Sequence, residues 1–288
     1  MSMNIEQAIG IPKGNRTVVK AMVGQCQLAE KKNGDPFLNV VVQDSTGSVS
    51  MPVWDAVGKW QDTLREGAVY QMTVQVGDYQ GKPQFKLLAA SPLEEVNLSD
   101  FVPSYEIDDT DIDDLIAIIE TMPRPLVEVA YCAIGMDDRE HEVARAQAFF
   151  SCPASIAHHG NKVGGLFFHT LRMLRLAKAL LPMLNLTPEE EGELLLVIIM
   201  HDLMKAREYS WTPNIARRPG VLSNHRDMGT SYLEQINREC GGLLADEQLQ
   251  RCSYAILSHH GQWGEYEPKS KLDRLLHHID DIEAQTAL

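Results

Sequence analysis

The sequence lacks any Cys-x-x-Cys pair, and its five cysteines (Cys26, Cys132, Cys152, Cys240 and Cys252) are odd in number and scattered. That excludes a zinc ribbon and a disulfide framework, and it points to a reducing compartment. No apolar run is long enough to span a bilayer, so no membrane partner is expected. The opening residues, MSMNIEQAIGIPKGN, have no charged-then-apolar secretory pattern, and the expected location is the cytoplasm. Basic charge is also scarce. With 26 Lys+Arg against 40 Asp+Glu the net charge is −14, which at first speaks against a nucleic-acid partner. The deficit is local, however. Residues 1–90 balance to +1 and residues 151–288 to −3, whereas residues 91–150 carry −12. The acidity belongs to the middle of the chain and says little about either end.

What is present reads as two domains. The 288 residues can bury one large core or two smaller ones, and 44% hydrophobic with 23% charged residues is ordinary for a globular protein. Between residues 15 and 90, Leu38, Val40 and Val42, then Val49, Met51 and Val53, then Tyr70, Met72, Val74 and Val76 alternate with other residues, the period of half-buried strands. Turn signals fall at Lys32-Asn33-Gly34-Asp35-Pro36, at Ser45-Thr46-Gly47 and across Gly77 to Pro83. A helical insert, about Ala56 to Arg65, follows the third strand. Five strands with a helix after the third is the plan of an oligonucleotide-binding (OB) barrel. The segment PFLNVVVQDSTGSVSMPVWD resembles the second and third strands of that fold.

Such barrels hold single strands on aromatic rings beside a basic groove. The candidates are Phe37, Trp54, Tyr79 and Phe85, with Lys20, Lys31, Lys32, Lys82 and Lys86. Aromatics on small barrels more often fill the core, and Trp54, ending an apolar alternation, is expected there. Tyr79 and Lys82, in GDYQGK, are better placed to meet a ligand. A barrel alone does not establish nucleic-acid binding.

Residues 91–112, with Pro92, Pro103 and the acidic run Glu106 to Asp114, read as a linker running into a helix N-terminus, where carboxylates are favourable. From residue 113 to the end the pattern predicts an all-α domain. Ile112, Leu115, Ile116 and Ile119 recur at helical spacing until Pro123 and Pro125 stop them. Within that domain LLLVIIMHDLMK is the most informative stretch. Seven apolar residues, Leu194 to Met200, run into His201-Asp202, with Lys205 one helical turn on. An imidazole and a carboxylate at the end of a core segment are costly without a partner, and a metal ion satisfies both. If the helix continues, His201, Asp202 and Lys205 share a face. The dipeptide alone is weak, since a solvated helix end would read the same way.

The other histidines strengthen it. His169 lies in GGLFFHT, His225 in LSNHRDMG, His259-His260 in ILSHHG, and HHIDD carries Asp280. Imidazole and carboxylate clusters on separate helices of one bundle read as a shared metal site. The order His169, His201-Asp202, Asp280 resembles the H…HD…D signature of HD-domain metal-dependent phosphohydrolases. His225 and His259/His260 are similar to the extra histidines of two-metal members. With PASIAHHGNKVGGLFFHT, HDLMK, ILSHHG and HHIDDIE behind a barrel, the chain resembles the YhaM-type 3′-to-5′ exoribonucleases over nearly its whole length. One departure is Asn224, where that family usually has glycine before the matched histidine.

The resemblance implies that His169, His201, Asp202 and Asp280 hold one metal, with Asp202 bridging to a second completed by His225, His259 and His260. Such ligands without thiolate suit Mn²⁺ best, with Co²⁺, Ni²⁺, Fe²⁺ or Mg²⁺ as alternatives. Asp202 and Lys205 would be catalytic, Lys205 by neutralising phosphoryl charge; an ordinary surface lysine is the alternative. His158 and His159 either contact substrate phosphate or cap a turn, and Arg207, Arg217 and Arg218 are candidates to grip the backbone. The resulting expectation is a 3′-5′ exonuclease acting on single-stranded RNA or DNA, with homo-oligomerisation left open. Two other readings remain. One is a small-nucleotide phosphohydrolase, whose activity would not depend on residues 1–90; the other is a single-strand-binding protein without catalysis.

Overall fold

A computed structural model describes residues 2–31, 33–94, 96–137, 143–156, 160–211 and 215–286. The chain divides into two compact units, Met1–Ser104 with Trp211–Asn214, and Tyr105–Ser210 with Ile215–Leu288.

The first unit has a short helix α1 (Ile5–Ile9), strands β1 (Arg16–Glu30), β2 (Pro36–Asp44) and β3 (Gly47–Ser50), helix α2 (Val57–Thr63), and strands β4 (Val69–Tyr79) and β5 (Lys82–Leu93). The strands close in the order β1-β2-β3-β5-β4, the five-stranded plan of an OB-fold barrel. Leu38, Val40, Val42, Val49, Met51, Val53, Met72, Val74 and Val76 fill its core, as their alternation predicts. β1 pairs with both β2 and β4, and it bends at a bulge between Val23 and Gln25. The DSTG turn is organised by Asp44, whose Oδ2 accepts the Ile5 N–H at 2.6 Å and whose Oδ1 accepts the Thr46 N–H at 2.8 Å. The β4–β5 hairpin turns through Gln80 and Gly81 at φ of 52° and 78°, the left-handed pair of a tight hairpin. Tyr79 and Lys82 therefore face each other as its last pair.

Two aromatics differ from expectation. Phe85 is a core residue at 1% exposure, while Trp54, expected in the core, is 46% exposed. Parity explains Trp54: Val49, Met51 and Val53 face inward, so the next residue faces out. The boundary differs too. β5 passes residue 90 to Leu93, and the expected linker is partly built into this unit: Phe101 and Val102 are buried, and the Ser45 N–H donates to the Asp100 carbonyl at 2.9 Å.

The second unit contains helices α3 (Asp109–Ile119), α4 (Arg124–Ile134), α5 (Val143–Ser151), α6 (Gly165–Leu180), α7 (Pro188–Met200), α8 (Lys205–Glu208), α9 (His225–Glu239), α10 (Asp246–Ser258) and α11 (Lys271–Thr286). Among the described residues it departs from all-α by a pair of two-residue strands, β6 (Tyr209–Ser210) and β7 (Ala216–Arg217). The acidic run does start a helix: Asp108 caps α3 by accepting the Asp111 N–H at 3.0 Å. α7 begins with a reciprocal Thr187–Glu190 capping box and is buried from Gly192 to Met200. A Cβ on Gly192 would come within 2.6 Å of Leu126 and Pro123, so α4 and α7 pack in close approach there. Among the described residues no helix is long and apolar enough to cross a membrane.

Candidate metal centre

α7 ends at Met200 rather than carrying on through Lys205. His201 to Met204 form a tightened turn in which the Lys205 N–H donates to the Asp202 carbonyl at 2.9 Å. This still places Lys205 on Asp202: its ammonium donates to Oδ2 at 2.5 Å and to the Ala154 carbonyl at 2.7 Å. The apolar run thus anchors His201 and Asp202 at the closed end of a core helix, where both are almost fully buried.

His169 comes from the second turn of α6. That helix begins at Gly164-Gly165, where Gly164 has φ of 81° and a Cβ on Gly165 would lie 2.0 Å from the Gly160 carbonyl oxygen. Only glycine permits this entry, which explains the GG of the GGLFFHT segment. His225 opens α9, His259 follows the end of α10, and Asp280 lies on α11. Asn224, the departure from the family pattern, has a local role: it caps α9 by accepting the Arg226 and Asp227 N–H groups, each at 3.0 Å.

Four imidazoles are oriented in the same way. Nδ1 of His201 donates to the Ile198 carbonyl at 2.8 Å, and Nδ1 of His259 to the Ile256 carbonyl at 2.6 Å. Nδ1 of His169 meets Glu283 Oε2 at 2.5 Å, and Nδ1 of His225 meets Glu208 Oε2 at 2.7 Å. A carbonyl or carboxylate only accepts, so each Nδ1 carries the hydrogen and each Nε2 is directed inward. There, His169 Nε2 lies 3.2 Å from His201 Nε2 and 3.3 Å from Asp280 Oδ1, and His225 Nε2 lies 3.4 Å from Asp202 Oδ1. Asp202 Oδ1, His225 Nε2 and His259 Nε2 are buried with no hydrogen-bond partner. Orphaned buried acceptors are costly, and three of them converging fit a cation that takes their lone pairs. Three groups have ligand atoms close enough to share an ion: His169, His201 and Asp280; His201, Asp202 and His259; and His225, His259 and His260.

The charge balance agrees. Burial opposes protonation of His169, but hydrogen bonds to Asp280 and Glu283 and the charges of Asp280 and Asp202 outweigh it and raise it to about 9. Burial and the neighbouring His201 and His260 push His259 well down, and burial followed by His225 lowers His260 to about 4. Burial would raise Asp202, yet Lys205 and His201 hold it far below the carboxylate range. Burial likewise works against the Lys205 ammonium, and Asp202 overrides it and keeps the group cationic. His259 and His260 are thus held neutral beside the ionised Asp202, the states that ligation needs, whereas His169 keeps a proton that a cation on its Nε2 would displace.

All seven expected ligands, His169, His201, Asp202, His225, His259, His260 and Asp280, therefore meet with Lys205. Sequence reading missed Glu283 and Glu208, the carboxylates behind His169 and His225. Glu283 bridges His169 to Arg172, whose Nε donates at 2.5 Å. Its signal was its position at i+3 from Asp280 on α11, whereas Glu208 had no comparable spacing. Arg217 ion-pairs with Glu208 at 2.8 Å, and Arg218 donates to the Ala206 and Tyr209 carbonyls. Arg217 thus backs the carboxylate that orients His225, while Arg218 ties the backbone around it. Arg207 lies 6.0 Å from the Tyr232 ring. Tyr79, Lys82, Lys31 and Phe37 belong to the barrel, and His158, His159 and Lys32 lie outside the described residues.

On the barrel, Phe37 and Trp54 stack at 4.5 Å between ring centroids with 20° between planes, and Lys31 Nζ is 5.5 Å from the Trp54 ring. The Leu38–Val53 bridge sets the two rings side by side.

Residues 166–285 match the HD domain family. The 3′-5′ exoribonuclease YhaM of Listeria welshimeri is 33% identical over 269 residues, covering 88% of this chain and 80% of that protein. That of Bacillus subtilis is 30% identical over 262 residues with the same coverage, and that of Halalkalibacterium halodurans 29% over 267 residues, with 89% and 79% covered. Among solved structures, the second OB-fold domain of replication protein A from Methanococcus maripaludis aligns with 34% of this chain and 99% of its own. Its identity is 14% and its TM-score 0.26, and the barrel assignment rests on the strand order instead.

Proposed function

The chain belongs to the family of the 3′-5′ exoribonuclease YhaM, and from that premise we propose that it shortens single-stranded RNA from the 3′ end, releasing nucleoside 5′-monophosphates. The chemistry is metal-dependent phosphodiester hydrolysis. The carrying observation is the convergence of four Nε2 atoms on Asp202 and Asp280, with Asp202 Oδ1, His225 Nε2 and His259 Nε2 left without partners.

In this reading His169, His201, Asp202 and Asp280 would hold one divalent ion, and His225, His259 and His260, with Asp202, would hold a second. The all-nitrogen-and-oxygen donor set favours Mn²⁺. Such a pair supplies Lewis acidity toward the phosphodiester and activates water for in-line displacement. The remaining work falls to the chain. Glu283 and Glu208 fix the tautomers of His169 and His225, as carboxylates behind ligating histidines do. Lys205, kept cationic by Asp202, neutralises charge that builds on the phosphoryl oxygens. The Phe37–Trp54 pair with Lys31 offers a stacking surface for bases, and Tyr79 and Lys82 at the hairpin tip extend it.

The test is digestion of 5′-labelled single-stranded RNA and DNA with Mn²⁺, beside a chelator lane and an Asp202→Ala protein. A ladder shortening from the 3′ end, absent in both controls, is expected, with RNA cut faster than DNA. Intact strands under Mn²⁺, Co²⁺, Ni²⁺, Fe²⁺ and Mg²⁺ alike would overturn the reading in favour of a small-nucleotide substrate.

A further inference from the structure

Beside the proposed metal ligands lies a charged group that neither the fold nor the ligand set employs. Arg226, next to His225 in the first turn of α9, is nine-tenths buried. Its Nε and Nη1 have no hydrogen-bond partner, and no ion pair involving it occurs among the described residues. The charged residues behind the centre that the structure describes are partnered: Glu283 by His169 and Arg172, Glu208 by His225 and Arg217, and Lys205 by Asp202. A buried guanidinium without a counter-ion is costly, and an anion that reached it would offset that cost.

Its surroundings locate that anion. Arg226 lies under the turn that follows α10: a Cβ on Gly264 would be 2.6 Å from Arg226 Nη1 and 3.2 Å from the His260 Cβ. The guanidinium therefore sits against the turn carrying His260, whose ring is 5.2 Å from that of His225. The turn itself is fixed. The Trp263 N–H donates to the His260 carbonyl at 3.1 Å, and the Gly264 N–H to the Gly261 carbonyl at 2.9 Å. His277 Nδ1 donates to the His259 carbonyl at 2.7 Å. Gly261, at φ of 54°, leaves room for the His277 ring that a Cβ would meet at 2.4 Å. This pinned turn holds Trp263 80% exposed. A tryptophan so open, on a rigid turn a few residues from a ligating histidine, covers no core and is available to a planar ligand.

We propose that Arg226 and Trp263 form a nucleotide subsite beside the metal centre, the guanidinium taking a phosphate and the indole stacking on the base of the same nucleotide. The subsite rests on the nuclease reading for its substrate class, and it adds the contacts that seat one nucleotide of the strand. An arginine fork suits a phosphate better than a lysine does. Stacking tolerates all four bases, as a degradative enzyme requires.

The experiment is titration of the metal-loaded full chain with AMP and with adenosine, followed by the same titrations in R226M, R226K, W263A and W263F, alongside hydrolysis of a short RNA. R226M is expected to weaken AMP about 10- to 100-fold, the loss of a charge-assisted bidentate contact, while adenosine binding changes less than about threefold. R226K should recover part of the AMP affinity. W263A should weaken both ligands about tenfold, with W263F close to the parent protein. KM for RNA should rise in step with the AMP effect. A thermal melt separates ligand binding from a structural role: removing an unpaired buried charge leaves R226M at least as stable as the parent. A lower melting temperature for R226M, or equal losses of AMP and adenosine, would overturn the phosphate assignment. Unchanged binding of both ligands in W263A would overturn the stacking role. If RNA is cleaved but AMP binding ignores Arg226, the subsite fails and the nuclease reading stands. If AMP binding follows Arg226 but RNA stays intact, the subsite stands and the nuclease reading fails.

Discussion

The barrel face and the metal centre are built on opposite economies of burial. On the barrel, Phe37, Trp54, Tyr79 and Lys82 sit on a surface whose backbone is paired in the sheet, and among the described residues no buried polar side-chain atom of that unit lacks a partner. In the centre His169, His201, Asp202, His225 and His259 are almost fully buried, the Nδ1 atoms of the four histidines are tied down, and Asp202 Oδ1, His225 Nε2 and His259 Nε2 have no hydrogen-bond partner. The first arrangement gives broad, sequence-tolerant contact at little structural cost. The second leaves buried acceptors whose cost a bound cation would offset, which favours a specific occupant. On the proposed function, the barrel face would tolerate many bases, whereas the centre would select for a phosphodiester.

The strongest way to break this contrast is to disable the centre and ask whether the barrel notices. Asp202→Ala removes the carboxylate that meets His201, His225, His259 and Lys205. RNA hydrolysis should fall by more than about 1,000-fold, because the residues act as a unit. Binding of a single-stranded RNA, followed by fluorescence anisotropy, should stay within about twofold. If binding collapses as well, the two surfaces are not independent.

The carboxylates behind the histidines provide the next test. Glu283→Gln and Glu208→Gln keep the shape and remove the charge that fixes the Nδ1 hydrogens of His169 and His225. Each should reduce metal affinity about 10- to 100-fold, measured by calorimetric titration. Glu283→Gln carries the greater loss if Arg172, which now shares that carboxylate, is left unpaired with it. An unaltered affinity in both proteins would mean that the imidazoles are held by packing alone.

The same contrast decides what could be read from the sequence. The ligands were legible because their chemistry demands particular residue types: the apolar run Leu194 to Met200 ending in His201-Asp202 announces a buried polar pair before any fold is known. The turn that breaks α7 was not legible, since His201 to Met204 carry no proline or glycine to mark it. Glu208 was hidden for another reason: it reaches His225 across the small β6–β7 ladder, a contact that no periodicity encodes. On the barrel the alternation revealed the core, and strict parity would have turned Trp54 outward; treating it as the end of an apolar run was the error. Phe85 failed in the opposite direction, being in phase with the buried face of β5.

Filling the centre should also be visible as stability. An ion at 100 times its dissociation constant adds about 2.7 kcal/mol to the state that binds it. For a unit of this size that raises the melting temperature by roughly 5–10 °C. A chelator should remove the gain, and Asp202→Ala should abolish it. A gain that persists in Asp202→Ala would place the stabilising ion elsewhere.

The smallest expected effects lie on the barrel, where they sharpen the comparison most. Trp54→Ala removes the ring that stacks on Phe37 under Lys31, and one lost base–aromatic contact is worth about 1–3 kcal/mol. Affinity for a long single strand should therefore drop about 5- to 100-fold, while kcat on a dinucleotide stays within about twofold. Lys82→Ala, at the exposed hairpin tip, should cost less than about threefold and reduce the slope of log affinity against log salt by just under one ion, as expected for one phosphate contact on a single strand. If Trp54→Ala slows the dinucleotide as much as the long strand, the indole is acting on the chemistry. The division between a tolerant outer surface and a selective buried one would then have to be redrawn.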